Sequence, residues 1–265
     1  MIETLGRSMH NPSELKATIS QHRTIKRQSA YNSCKNVFCD GVCMPRPVFI
    51  DLYFTLIEPD PAYNWATLAA PLLGIEQHAF HAAAGRSYQA RMVGTYRLAE
   101  EIVDQTLGYL GMSVTPEVHA TLTKQRLEFF STLRVYPDSI PTLQALRARG
   151  HQIALVTNCS AETIPMMEPL GLLNLFDALA YSCDVRSAKP EPGIYQHALD
   201  VLNVDPREVV YVGDGDTQEH AGAAKFGMTT VLLQRPEAKI RAVQTDYVIN
   251  SLTELLDLAP LSQGA

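Results

Sequence analysis

Long apolar runs are missing from this chain. No stretch approaches the ~18–20 consecutive apolar residues that cross a bilayer, so no membrane partner is expected. A basic excess is missing too. Lys and Arg number 22 against 28 Asp and Glu, a formal net charge of −6, and nothing global points to nucleic acid. Cysteine is sparse and odd in number, with five residues. Two of them, Cys159 and Cys183, fall in expected core segments. That usage suits a reducing compartment better than a disulfide framework, and a cytoplasmic location is expected. The first residues hold no 7–15-residue apolar stretch, which argues against a secretory signal. Internal repeats and low-complexity tracts are absent.

What charge there is lies unevenly. Residues 1–43 carry six Lys/Arg against three Asp/Glu, and the remainder carries 16 against 25. The first segment has no sustained hydrophobic periodicity and scattered Ser, Asn and Gln. Residues 1–45 therefore read as a disordered tail, or as sequence upstream of a start at Met44. Glu3 and Glu14 interrupt any organelle-targeting pattern. Cys34, Cys39 and Cys43 are spaced C-x4-C-x3-C, but a metal site would need a fourth ligand and a folded frame, and incidental cysteines are the plainer reading.

The remainder has ordinary globular composition, 46% hydrophobic and 19% charged, with room for one large domain or a domain plus an insert. "PVFIDL" (47–52) suits a buried strand. Residues 61–134 carry apolar positions at three- and four-residue spacing almost throughout, as in "NWATLAAPLLG", "EQHAFHAAAGRSYQARM" and "YRLAEEIVDQTLGYLG". Thr115-Pro116 caps and opens a further helix. The pattern then alternates. "QIALVTN", "FDALAYS", "EVVYVGD", "TTVLLQ" and "DYVIN" read as strands. "SIPTLQALRARG", "AETIPMMEPLGL", "PGIYQHALDVLN", "QEHAGAAKFG" and "SLTELLDL" read as helices. Such alternation implies an α/β fold, a doubly wound and mostly parallel sheet with helices on both faces. The expected core is residues 46–58 and 137–260, and the helical block, 59–136, is expected to form a lid beside it.

In open α/β sheets, ligands bind beyond the carboxyl ends of the strands. Asp51, Tyr53 and Thr55 follow the first strand. Thr157 and Asn158 follow the second, where free helical N–H groups attract anions. Lys189 in "SAKPEPGIY" follows the third. Asp214, Asp216 and Glu219 in "GDGDTQEH" follow the fourth. Each has a bland alternative as a cap, turn or surface charge, but all four groups recur at successive strand ends. In order, "DLYFT", "VTN", "KPEPGIY" and "VGDGDTQEHAGA" resemble the haloacid dehalogenase-like superfamily of hydrolases over about residues 47–258. The lid's place between the first two motifs resembles the helical-cap group, with its Rossmann-like core.

The resemblance implies that Asp51 is a nucleophile, forming an ester intermediate that water breaks. It implies that Thr55, Thr157 and Asn158 serve the substrate anion or the nucleophile, and that Lys189 offsets carboxylate charge. It also implies a hard cation, Mg2+, held by Asp51, the Tyr53 carbonyl, Asp214 and Glu219. The departures bear on mechanism. Family phosphatases carry a proton-donating Asp where Tyr53 stands. Losing a general acid typically costs ~10²–10⁴ in rate. Phe54 replaces a usual glycine, and Glu219 a frequent Asp.

Three functions follow. The leading one is a Mg2+-dependent phosphohydrolase acting on a small anionic metabolite, as a monomer or homodimer. Tyr53 also resembles the 2-haloacid dehalogenases, whose leaving halide needs no proton, as does Tyr195 six residues after Lys189. Those enzymes lack the acid that Gly213-Asp214 supplies. The third is a binding or regulatory protein with weakened turnover. Arg91 and Arg97, with Arg86, are lid candidates for a substrate carboxylate or phosphate. A phosphonate-cleaving relative would need a lid lysine, and the lid offers only Lys124.

Overall fold

The structure, a computed structural model, describes residues 45–235 and 242–262. The expectations for the tail, for a start at Met44 and for Cys34, Cys39 and Cys43 lie outside the described residues. Among these residues, no helix is long and apolar enough to cross a membrane.

Strand β1 (Val48–Ile50) is buried throughout. It pairs in parallel with both β4 (Ile153–Thr157) and β6 (Val210–Gly213), with Phe49 opposite Ala154 and Tyr211. With β5 (Ala178–Tyr181), β7 (Thr229–Leu233) and β8 (Tyr247–Ile249) they form a six-stranded sheet in the order β5-β4-β1-β6-β7-β8. Successive side chains of a strand point to opposite faces, so both faces carry core. Val48, Ile50, Ile153, Leu155, Val210 and Val212 pack on one side with Leu143 and Leu146. Phe49, Ala154, Val156 and Tyr211 pack on the other with Ile194, Tyr195 and Ala198. Burial on two faces explains why these strands read as unbroken apolar runs.

Between β2 (Ile57–Glu58) and β3 (Arg134–Val135), an antiparallel pair, the chain makes a helical insert. Its helices are α1 (Trp65–Leu73), α2 (Gln77–Arg86), α3 (Tyr88–Met92), α4 (Ala99–Leu110) and α5 (Pro116–Ser131). Asn64 caps α1 by accepting from the Ala66 and Thr67 amides, and Gly74 closes it at φ +64°. Thr115 caps α5 ahead of its first proline. Ala69, Ala70, Phe80, Val103 and Leu122 give the insert a core of its own.

The remaining helices are α6 (Ser139–Ala148), α7 (Ser182–Val185), α8 (Pro192–Leu202), α9 (Glu219–Lys225) and α10 (Ala259–Ser262). Three expectations are corrected. Residues 93–98 break the helical block, because Gly94 turns at φ +70° against the Cys183 carbonyl, where a Cβ would lie 2.0 Å away. "AETIPMMEPLGL" forms only a 3-10 segment, Ala161–Met166, since Pro165 and Pro169 each remove a helical donor. "SLTELLDL" is likewise a 3-10 turn, Leu252–Asp257.

Candidate active site

The carboxyl ends of β1, β4 and β6, with the loop before α8, converge on one cavity of about 280 Å³. Asp51 leaves β1 with its amide fixed to the Val212 carbonyl at 2.9 Å. Its Oδ1 lies 2.5 Å from Lys189 Nζ, which reaches Glu219 Oε2 at 2.6 Å and Tyr211 Oη at 3.2 Å. All three charged groups are buried. The lysine is aimed from its backbone. Asn158 donates from Nδ2 to the Lys189 carbonyl at 3.0 Å and accepts the Lys189 amide on Oδ1 at 2.7 Å.

Glu219 is engaged at both oxygens. Oε2 also accepts from Tyr211 Oη at 2.7 Å, and Oε1 from the Gly215 amide at 2.9 Å. Tyr195 donates to the Glu219 carbonyl at 2.7 Å, which holds the start of α9 in place. Gly213 makes this possible, since a Cβ there would lie 2.1 Å from Glu219 Oε1. Asp214 completes the group. One oxygen from each of Asp51, Asp214 and Glu219 lies within 4.8 Å of the others.

Burial pushes the Asp51 carboxyl up, to about 7, with Lys189 pulling it down and Glu219 and Asp214 adding to the rise. Burial alone would lower Lys189, but the Asp51 and Glu219 carboxylates outweigh it and raise its pKa. The lysine is therefore a fixed cation between two carboxylates, Asp51 and Glu219. Hard oxygen donors at this spacing fit Mg2+ in type and charge.

Of the residues expected from sequence, Asp51, Tyr53, Arg91, Asn158, Lys189, Asp214 and Glu219 all line the cavity. Thr55 is buried behind Asp51, with a long 3.5 Å contact to Oδ2. Thr157 is buried at the end of β4, and its hydroxyl has no hydrogen-bond partner among the described residues. Arg97, expected as a lid residue for the substrate anion, does not line this cavity. The Gly94 turn sends it to the Cys183 carbonyl at 2.9 Å and the Asp184 carboxylate at 2.6 Å. Arg91 donates to Ser87 Oγ and the Ala84 carbonyl, and burial, then Arg126, lowers its pKa to about 10.

Asp216, noted at the end of the fourth strand, also lines the cavity, and so do Tyr88 and Arg126 of the insert, which the sequence reading did not single out. Arg126 makes a two-pronged ion pair with Glu162, at 2.6 and 3.0 Å. It lies against the Trp65 and Phe130 rings. A signal existed, since Leu122, Arg126 and Phe130 recur every four residues and share the buried face of α5. A larger groove of about 600 Å³ lies open on the insert surface by His119 and Leu127, and holds none of the strand-end residues.

The profile of the haloacid dehalogenase-like hydrolases matches residues 48–227. The chain belongs to this family. It is thus a hydrolase on a Rossmann-like core, and its relatives span two chemistries. It is 29% identical over 163 residues to (S)-2-haloacid dehalogenase 4A of Burkholderia cepacia, covering 60% of this chain and 69% of that one. It is 33% identical over 135 residues to glyceraldehyde 3-phosphate phosphatase of Methanopyrus kandleri, covering 49% and 58%. Among solved structures, a HAD phosphatase from Thermococcus onnurineus superimposes with a TM-score of 0.58 at 26% identity, covering 80% and 96%. A 2-haloacid dehalogenase from Pseudomonas syringae, with a TM-score of 0.64 at 24% identity and coverage of 84% and 100%, shares the fold.

Proposed function

We propose that this family member is a Mg2+-dependent phosphohydrolase acting on a small phosphorylated metabolite, with residues 59–136 as its cap. The observation that carries this reading is the buried group of Asp51, Asp214 and Glu219, one oxygen of each within 4.8 Å of the others, with Lys189 paired to Asp51 and Glu219. Carboxylates gathered this closely repel one another, as Glu219 and Asp214 do Asp51, and a divalent cation relieves that repulsion. A metal-free site for an anionic haloacid gains nothing from the added acids.

Asp51, Asp214 and the Tyr53 main-chain carbonyl would hold the cation. Glu219 stands behind them, since Lys189, Tyr211 and Gly215 already occupy its oxygens. When bound, the ion supplies charge neutralisation at the phosphoryl oxygens. Asp51 attacks phosphorus and carries the phosphoryl group as an aspartyl ester. Lys189, held by Asn158, keeps Asp51 oriented. Thr55, beside Asp51, and Thr157, whose hydroxyl has no partner among the described residues, would serve the nucleophile, and Arg91 serves the substrate's remote charge.

Tyr53 favours the second reading, 2-haloacid dehalogenation, because a leaving halide needs no proton. One assay separates the two. p-Nitrophenyl phosphate is expected to be hydrolysed only with Mg2+, and not by Asp51→Asn. Halide release from 2-chloropropionate without metal, with no phosphate release, would reverse the assignment.

A further inference from the structure

The ring of Tyr211, on β6, packs with Phe49, Tyr195 and Ala198 in the core of one sheet face. For packing alone, phenylalanine would serve. The hydroxyl is what differs, and a buried tyrosine hydroxyl usually finds a partner. Here the partners are the charged groups of the site. Tyr211 Oη accepts from Lys189 Nζ at 3.2 Å and donates to Glu219 Oε2 at 2.7 Å. Lys189 Nζ also donates to Asp51 Oδ1 at 2.5 Å and to Glu219 Oε2 at 2.6 Å. An ammonium group has three donors, and a carboxylate oxygen about two acceptor sites. Tyr211 engages the third N–H of Lys189 and the second site on Oε2. The lysine is thus held at both ends. Asn158 clamps its backbone, but a flexible stem lies between that clamp and the head group. Tyr211 fixes the head group.

We propose that Tyr211 is a positioning residue that locks the Lys189 ammonium against Asp51 Oδ1 and so sets the direction in which Asp51 attacks; this rests on the phosphohydrolase reading. Tyr211 is wholly buried and does not line the cavity, so it acts through Lys189 and Glu219 and not on the substrate. Without its hydroxyl, one N–H of Lys189 has no acceptor and Glu219 Oε2 keeps only the lysine. The ammonium is then free to draw toward Glu219 and away from Asp51. The nucleophile loses the contact that fixes its rotation. Rate depends steeply on such geometry, since a misplacement of ~1 Å can cost ~10²-fold. Substrate affinity does not depend on it in the same way, because the groups that meet the substrate are unchanged.

Tyr195 supplies an internal control. Its ring centre lies 5.8 Å from that of Tyr211, and it is equally buried. Its hydroxyl also donates to Glu219, but to the main-chain carbonyl, at 2.7 Å. Tyr211→Phe and Tyr195→Phe therefore delete the same group from the same core and keep both rings, and only the first deletion reaches Lys189. Wild type and the two variants are compared by kcat and KM for p-nitrophenyl phosphate at saturating Mg2+, with the Tm of each. Tyr211→Phe is expected to lose roughly tenfold in kcat, with KM within about twofold of wild type. Tyr195→Phe is expected to lose as much in Tm and to keep its kcat. Equal losses of kcat in the two variants would trace the effect to packing and overturn the proposal. An unchanged kcat in Tyr211→Phe would also overturn it, as would a rise in KM alone. Wild type that releases no p-nitrophenol with Mg2+ would sink the phosphohydrolase reading itself, and the proposal with it.

Discussion

Lys189 is a single ammonium group whose removal would leave Asp51 and Glu219 facing one another without a counter-charge. Removing one partner of a buried ion pair typically costs 3–5 kcal/mol, so Lys189→Met is expected to lose about that much stability at pH 8. The loss depends on pH with a definite sign. Unfolded, these carboxyls release their protons near pH 4. Folded, burial already holds Asp51 protonated to about 7, and loss of the lysine raises it further. Between those values the folded state binds more protons, so stability falls as pH rises. The gap in Tm between wild type and Lys189→Met, in metal-free buffer, is therefore expected to be wider at pH 8 than at pH 5.5. A constant gap would mean that the two carboxylates are not the lysine's working partners. These residues were readable from sequence because each ends or follows an apolar strand, and parallel strands deliver their ends to one edge whatever the helices do. The position of a strand's last residue is nearly a one-dimensional fact.

The helices are less legible, for a physical reason. The apolar spacing of α5 marks a buried face without saying what that face meets. Arg126 lies on that face, four residues from Leu122 and Phe130, and its partner Glu162 is 36 positions away, in a segment whose spacing suggests an α-helix. Two prolines make it a 3-10 turn instead, and the turn brings Glu162 under α5. Arg97 shows the converse. Periodicity carries it through the block as a helical residue, but Gly94 turns the chain and Arg97 ties the insert to Asp184 of the core. The Arg126–Glu162 pair, with side chains only 7% and 5% exposed, joins insert and core at the edge of the cavity. Glu162→Gln is expected to lose about 3–5 kcal/mol in denaturant unfolding. The double variant Arg126→Met/Glu162→Gln is expected to recover part of that, because no charge is then stranded. A loss under about 1 kcal/mol, the range of exposed pairs, would show that water reaches this contact.

Across the whole molecule, the cavity is electrically lopsided. Its core wall carries Asp51, Asp214, Asp216 and Glu219 against Lys189, and its insert wall carries Arg91 with the neutralised Arg126. A chain of net charge −6 thus gathers three of its carboxylates, Asp51, Asp214 and Glu219, where folding has removed water. The unfolded chain spreads those carboxylates apart and binds a divalent cation poorly, so Mg2+ is expected to act as a ligand of the folded state. At a hundredfold over its Kd such a ligand adds about 2.7 kcal/mol. At roughly 2–4 °C per kcal/mol for a domain of this size, the Tm should rise by about 5–10 °C. NaCl of matched ionic strength should give much less, because screening acts on all surface charge and not on one cluster. Asp214→Asn sharpens the argument. It removes a ligand while leaving an Oδ1 that can accept the Asp216 amide, so the Mg2+ shift in Tm is expected to disappear. An equal Mg2+ shift in Asp214→Asn and wild type would move the cation away from this cluster, and no shift in either would return weight to metal-free chemistry at Asp51.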